Sequence, residues 1–210
     1  MTRRRLLVAT RSVHKLRELR ELLDLHGTDL VSLEDLGVPG DPVETGRTFE
    51  TNAAIKARFG VRATGLPTLA DDSGLEVDAL GGGPGVMTRR YAGEHATDAD
   101  NNRKLLEALR GLPPERRAAR YVCVLALALP DRAGPGGGLH LILARGTCRG
   151  RIALESRGRG GFGYDPIFEP ASEPPGGRTL GVWTPAEKHA ISHRANAARR
   201  LAPRLKELGL

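Results

Sequence analysis

The stretch Pro67-Thr68-Leu69-Ala70-Asp71-Asp72-Ser73-Gly74 decides how the rest of the chain is read. Its first four residues read as a short buried strand, and two carboxylates, a serine and a glycine follow at once. Open α/β sheets bind ligands at the carboxyl ends of their strands, so this is where chemistry is expected. Toward the N-terminus, Leu6 to Ala9 reads as another buried strand, and Val13 to Leu25 carries Val13, Leu16, Leu19, Leu22 and Leu23 at helical spacing. A strand near Leu30 to Leu33 leads into a Pro/Gly/Asp loop from Gly37 to Gly46, and Thr48 opens a helix running to about Arg62. Toward the C-terminus, Asp98 to Leu109 reads as a helix. Arg120 to Leu129 and Leu139 to Gly150 read as two long strands joined by the glycine-rich loop Arg132 to Gly138, and Ser192 to Leu208 as a terminal helix. Strands alternating with helices predict an α/β fold. No repeat or linker divides the chain, so residues 1–210 are expected to form one domain.

Composition narrows the class. A chain of 210 residues with 40% hydrophobic and 27% charged residues buries roughly 70% of its unfolded surface on folding. Collagen, coiled coil and disordered tail are excluded. The longest apolar run, Tyr121 to Leu129, is far short of the roughly 20 residues a membrane-spanning helix needs. After Arg3, Arg4 and Arg5 only Leu6 to Ala9 is apolar, too short for a signal-peptide core, so a cytoplasmic location without membrane attachment is expected. Cys123 and Cys148 lie in strand-like apolar surroundings and read as core thiols.

The charge is informative by position. The 32 Lys+Arg exceed the 25 Asp+Glu by +7, and lysine occurs only at Lys15, Lys56, Lys104, Lys188 and Lys206. Arg3 to Arg20 is basic, Lys188 to Lys206 holds no acid, and Asp41 to Asp78 holds most of the acidic clusters. If the basic ends fold toward the acidic middle, cations face carboxylates, an arrangement suited to a metal-bound polyphosphate. Solvated helix faces are the plain alternative.

Four motifs carry candidate chemistry. Thr10-Arg11-Ser12-Val13-His14-Lys15 lies between the first strand and helix, where free N–H groups favour an anion and Lys15 adds a charge; the alternative is a helix cap with Lys15 in solvent. Asp71 and Asp72, with Glu44, Glu76 and Asp78, gather hard oxygen ligands that suit Mg²⁺ over zinc; the alternative is an Asp/Gly-rich turn. Neighbouring strand residues point to opposite faces, so one of the two aspartates should be the working group unless the strand breaks there. Gly158-Arg159-Gly160-Gly161-Phe162-Gly163 matches a dinucleotide-binding pattern only formally, because Tyr164-Asp165-Pro166 follows where a helix should begin. It reads as a ligand wall in which Phe162 can stack on a flat ring, or equally as a structural loop. Ser192-His193-Arg194, with Lys188 upstream, gathers donors for phosphate or keto oxygens. His189 and His193 stand four apart but lack the glutamate of a zinc protease helix, and no P-loop occurs.

Together these segments resemble the non-canonical purine nucleoside triphosphate pyrophosphatases, the inosine triphosphate pyrophosphatase family. The resemblance runs in order through Ala9-Thr10 with Lys15, Glu44 to Phe49 with Asn52-Ala53 and Lys56-Ala57, and Leu69 to Gly74. It continues through Gly81-Gly82 with Pro84-Gly85-Val86, Arg90 to Gly93, Gly161 to Phe168, and Glu187-Lys188 with Ile191 to Arg194. It implies a mixed twisted sheet flanked by helices in two lobes around a central cleft. It also implies Mg²⁺-dependent hydrolysis of ITP, dITP or XTP to the monophosphate and pyrophosphate, by a homodimer that binds no nucleic acid. By position, Asp72 is the implied general base and metal-linked carboxylate, Glu44 a second acid near the metal, and Ser73 a substrate contact. Thr10, Arg11, Ser12, Val13, His14 and Lys15 are the implied phosphate contacts. Phe162, Gly163, Tyr164 and Asp165 are the implied wall of the base pocket, Lys188 lies near base or phosphate, and His193 with Arg194 reads the 6-keto oxygen. The chain departs from the family at Ser12, usually Asn, at Val43, often acidic, and at Arg89, usually small. A Maf-like pyrimidine nucleotide pyrophosphatase is the neighbouring enzyme reading. A basic RNA-binding module is the reading from another class, against which the 4% aromatic content speaks.

Overall fold

The computed structural model describes residues 3–130 and 139–210, so the expected loop Arg132 to Gly138 lies outside the described residues. The chain opens with β1 (Arg4–Val8), α1 (Val13–Leu23), β2 (Thr28–Ser32), α2 (Phe49–Thr64) and β3 (Thr68–Val77). It continues with α3 (Asp98–Ala108), β4 (Ala118–Leu129), β5 (His140–Ile152), β6 (Phe168–Pro170), α4 (Pro185–Ile191) and α5 (His193–Glu207). One six-stranded sheet has the order β2-β1-β3-β4-β5-β6. β1 runs parallel to β2 and β3 while β5 and β6 are antiparallel, which makes the sheet mixed, as expected for this α/β chain.

The chain falls into two compact units, each with its own core. Unit 1 comprises Met1–Asp72, Cys123–Gly146 and Arg194–Leu210; unit 2 comprises Ser73–Val122 and Thr147–His193. In unit 1, Leu6 and Val8 of β1 pack with Leu19 and Leu23 of α1, Leu125 and Leu127 of β4, and Ala197, Ala198, Leu201 and Leu205 of α5. The α5 residues recur every three or four positions, the spacing that lines one helix face with apolar groups. In unit 2, Leu75 and Val77 of β3 pack with Leu105 of α3, Tyr121 of β4, Ile152 of β5 and Phe168 of β6. Cys123 and Cys148 are buried free thiols, and burial holds the Cys123 thiol well above its ordinary value and pushes Cys148 up to about 11. No helix among the described residues is long and apolar enough to cross a membrane.

Several boundaries differ from expectation for local reasons. β3 does not end before the aspartates but runs through Asp71 and Asp72 to Val77, because buried Leu75 and Val77 continue the strand beyond the polar residues. α1 stops at Leu23, where Asp24 adopts a left-handed conformation (φ 39°). The expected terminal helix, Ser192 to Leu208, is α5, and a further short helix, α4, precedes it. Pro185 opens α4 under a capping box of Thr184 and Glu187, and Ser192 (ψ 152°) breaks the run before His193 starts α5.

Candidate active site

Unit 1 places the two neighbouring carboxylates in different surroundings. Because β3 is unbroken through Asp71 and Asp72, their side chains leave opposite faces of the strand. Asp71 is fully buried at its side chain, pairs with Lys15 of α1, accepts from Arg194 Nε of α5 at 3.1 Å, and accepts from the Cys123 thiol at 3.0 Å. Arg194 also pairs with Glu18 of α1, and its side chain is only 1% exposed. Burial works against ionising Asp71, but Arg194 and Lys15 outweigh it and hold the carboxyl well below the usual range. For Arg194, burial is likewise outweighed, chiefly by Asp71, so the guanidinium stays charged. This is a closed charge cluster that ties α1, β3, β4 and α5 together.

Asp72 is different. Its only described hydrogen bond is accepted from Lys56 Nζ, at 2.7 Å, and the same ammonium lies 3.4 Å from Glu44 Oε2. Burial lifts the Asp72 carboxyl above its ordinary value by more than Lys56 lowers it. The proximity of Asp72 and Glu44 outweighs burial at Lys56 and holds that ammonium protonated. Local structure explains the convergence. Thr48 caps α2, and buried Asn52 accepts from the Gly46 N–H at 2.8 Å, which fixes the Glu44 loop against the helix. Lys56 stands one turn after Asn52. An added Cβ at Gly46 would run into Asn52 and Thr51, so the loop can approach α2 only as glycine.

The segment Thr10 to Lys15, expected to contact phosphates, leads into the start of α1. Ser12 is the N-cap and accepts from the Lys15 N–H at 3.4 Å, while Thr10 accepts from the Ser12 N–H at 3.1 Å. Val13 is 74% exposed, and His14 is exposed on the same turn. Arg11 is turned elsewhere: it donates to Asp41 and to the carbonyls of Val38 and Gly40.

Unit 2 gathers the aromatic group around Asp165. The Asp165 carboxylate accepts from the Phe162 N–H at 2.9 Å and Lys188 Nζ at 2.7 Å on one oxygen, and from the Tyr121 hydroxyl at 3.3 Å on the other. The Lys188 ammonium also lies 4.3 Å above the Phe162 ring. Asp98 and Asn102 of α3 hold the loop through the N–H and carbonyl of Gly163, and the Tyr164 hydroxyl donates to the Thr88 carbonyl at 2.7 Å. His193 stacks on Tyr121 with ring centroids 4.8 Å apart and planes 10° apart. Glycine is required at Gly161, where φ is +73° and a Cβ would collide with the Asp165 carboxylate. A cavity of about 810 Å³ between α3 and this loop shares Phe162 and Gly163 with the cluster, but Asp165 and Lys188 do not line it.

Of the residues expected from sequence, unit 1 brings Glu44 and Asp72 to one ammonium, and unit 2 brings Phe162, Asp165, Lys188 and His193 together. Arg194 belongs to the Asp71 cluster of unit 1. Ser73, half-buried, follows Asp72 in β3. Lys56, Glu18, Asp71 as an anchor, and Tyr121 were not assigned roles from the sequence. Lys56 lies 16 residues from Asp72, and no local pattern signals that pairing.

An α/β fold with two carboxylates on the Lys56 ammonium in unit 1, and a buried aspartate holding an aromatic loop in unit 2, fits an enzyme better than a binding module built on charge. The comparisons agree: the Ham1 family matches residues 6–204, and the chain belongs to that family. A dITP/XTP pyrophosphatase of Nocardia farcinica is 48% identical, covering 99% of this chain and 98% of the relative. One of Mycolicibacterium paratuberculosis is 50% identical over 97% of this chain and 96% of the relative. The solved HAM1 protein of Coxiella burnetii superposes with a TM-score of 0.85 at 43% identity, covering 97% of this chain and 99% of that one.

Proposed function

We propose that residues 1–210 act as a single dITP/XTP pyrophosphatase domain that hydrolyses deaminated purine nucleoside triphosphates (ITP, dITP, XTP) to the monophosphate and pyrophosphate. The observation that carries the reading is the convergence of Asp72 and Glu44 on one ammonium, Lys56, at 2.7 and 3.4 Å. That ammonium stands in for a cation: two hard carboxylate oxygens with no sulfur or imidazole suit Mg²⁺ shared with substrate phosphates rather than caged by protein. When bound, Mg²⁺ supplies charge neutralisation and polarisation of the phosphate oxygens. Asp72 and Glu44 are its proposed ligands.

The chain's own groups do the rest. Asp72 takes the proton of the attacking water as general base. Lys56 neutralises the carboxylate pair in the absence of the metal. Thr10, Ser12, Val13, His14 and Lys15, at the first turn of α1, take the phosphates, where helix N–H groups and the Lys15 ammonium stabilise the leaving pyrophosphate. Arg11 braces the loop at Asp41 beside them, and Ser73 contacts substrate. In unit 2, Phe162 stacks on the purine, Gly163 and Tyr164 shape the wall, and Asp165, Lys188 and His193 read the base edge. Arg194, buried against Asp71 and Glu18, anchors the start of α5 through those two acids rather than meeting the keto edge itself. An adenine amino group would leave donors facing donors, the basis for rejecting ATP. The proposed enzyme is a cytoplasmic homodimer.

The test is product analysis. Purified protein with ITP and Mg²⁺ should give inosine monophosphate and pyrophosphate in equal amounts, and chelation of the metal should stop turnover. Release of inosine diphosphate and orthophosphate would refute the assigned bond.

A further inference from the structure

Tyr121 belongs to a core strand and, from its sequence, needs no more explanation than any buried aromatic. Its surroundings are particular. The hydroxyl donates to Asp165 Oδ1 at 3.3 Å, and the ring stacks on His193 at 4.8 Å between centroids with 10° between planes. Phe168 packs on it at 4.7 Å. A phenylalanine would fill the same core volume, so the hydroxyl has a separate purpose.

That purpose follows from how Asp165 is held. One carboxylate oxygen is fixed by the Phe162 N–H and Lys188 Nζ and fills the space that a side chain at Gly161 would need. The other oxygen has the Tyr121 hydroxyl as its only described partner. Without it the carboxylate pivots about its more tightly held oxygen, and Lys188, which caps the Phe162 ring, follows. The ring meanwhile sets the plane of His193. One side chain thus fixes an acceptor, a cation, an aromatic face and an imidazole. Burial first, and the Asp165 carboxylate second, hold the phenol well above its ordinary value, so it remains a donor at any working pH.

We propose that Tyr121 is a positioning residue for base recognition, orienting Asp165 through its hydroxyl and His193 through its ring, and so sets the preference between keto and amino purines. This rests on the base-reading role proposed above for Phe162, Asp165, Lys188 and His193.

The experiment compares the wild type with Tyr121→Phe and Tyr121→Leu. Each is measured for kcat and KM on ITP and ATP, for inhibition by inosine monophosphate, and for inhibition by inorganic tripolyphosphate, which has no base. Tyr121→Phe should raise KM for ITP and weaken inosine monophosphate by roughly 3- to 10-fold, the span of one lost hydrogen bond. Its kcat should stay within about twofold, and tripolyphosphate inhibition should be unchanged. Tyr121→Leu, which also loses the stack, should lower the ITP-over-ATP ratio of kcat/KM by a further factor of about three or more. Wild-type KM and wild-type inosine monophosphate inhibition in Tyr121→Phe would overturn the proposal. Equal weakening of tripolyphosphate would also overturn it, since that marks a general structural loss. A wild-type enzyme with no preference for ITP over ATP would sink the base-reading assignment itself, and this proposal with it.

Discussion

Each unit is organised around buried aspartates, but the aspartates are held to different degrees. Asp165 in unit 2 accepts from three groups, the Phe162 N–H, Lys188 and the Tyr121 hydroxyl. Asp71 in unit 1 is held by Lys15, Arg194 and Cys123. Asp72, its neighbour in the same strand, has a described hydrogen bond only from Lys56, an ammonium it shares with Glu44. A carboxylate with several fixed donors is a structural or recognition element, because its orientation is decided before a ligand arrives. A carboxylate whose partner is a single lysine can exchange that cation for another, and burial raises its affinity for a proton. Asp165 and Asp71 are therefore held still, whereas Asp72 is the carboxylate left to the proposed reaction.

The largest effect should separate Asp72 from Asp71. In Asp72→Asn the carboxamide keeps the shape but cannot accept a proton, so kcat/KM for ITP should fall on the order of 10³-fold. Thermal unfolding should stay near wild type, since a buried carboxylate has been relieved of its burial cost. Asp71→Ala reverses the pattern by leaving Lys15 and Arg194 without their shared carboxylate. It should destabilise the protein by about 3–5 kcal/mol, read as a lower midpoint in calorimetry. A stable Asp71→Ala or an active Asp72→Asn would erase the distinction between the two.

Gly161→Ala tests the fixity of Asp165 by pushing a methyl against its carboxylate at a left-handed backbone position. KM for ITP should rise roughly tenfold, the consequence of 1–3 kcal/mol of local strain, while inhibition by tripolyphosphate stays unchanged. The smallest effect belongs to α4, which carries Lys188. Glu187 closes the capping box and pairs with Arg178, hydrogen bonds that lower its carboxyl to about 2. A depressed folded value means that the stabilisation is complete above the ordinary value near 4.5 and is lost as pH falls from there toward 2. Thermal midpoints of Glu187→Gln should accordingly fall less steeply over that window than those of the wild type.

Much of this was legible from sequence where a periodic pattern had no rival. β1, α1, α3, β4 and β5 follow from their residue patterns and α2 from its Thr48 start, and the carboxylate and glycine-loop motifs mark residues that the structure gathers in each unit. β3 was read too short because Asp-Asp-Ser-Gly carries the side chains of a turn, while the pairing and burial that extend the strand come from elsewhere in the fold. α4 was missed although Thr184, Pro185 and Glu187 form a complete start signal. Lys56 and Tyr121 were invisible as site residues for a simpler reason: each acts on a partner 16 or 44 positions away, and no one-dimensional pattern records that.

The most direct measurement is pyrophosphate release across a nucleotide panel with Mg²⁺ at neutral pH. The values of kcat/KM for ITP, dITP and XTP should lie on the order of 10²-fold or more above that for ATP, whose 6-amino group faces the donors that read a keto oxygen. Equal rates across the panel, or release only from pyrimidine triphosphates, would contradict it.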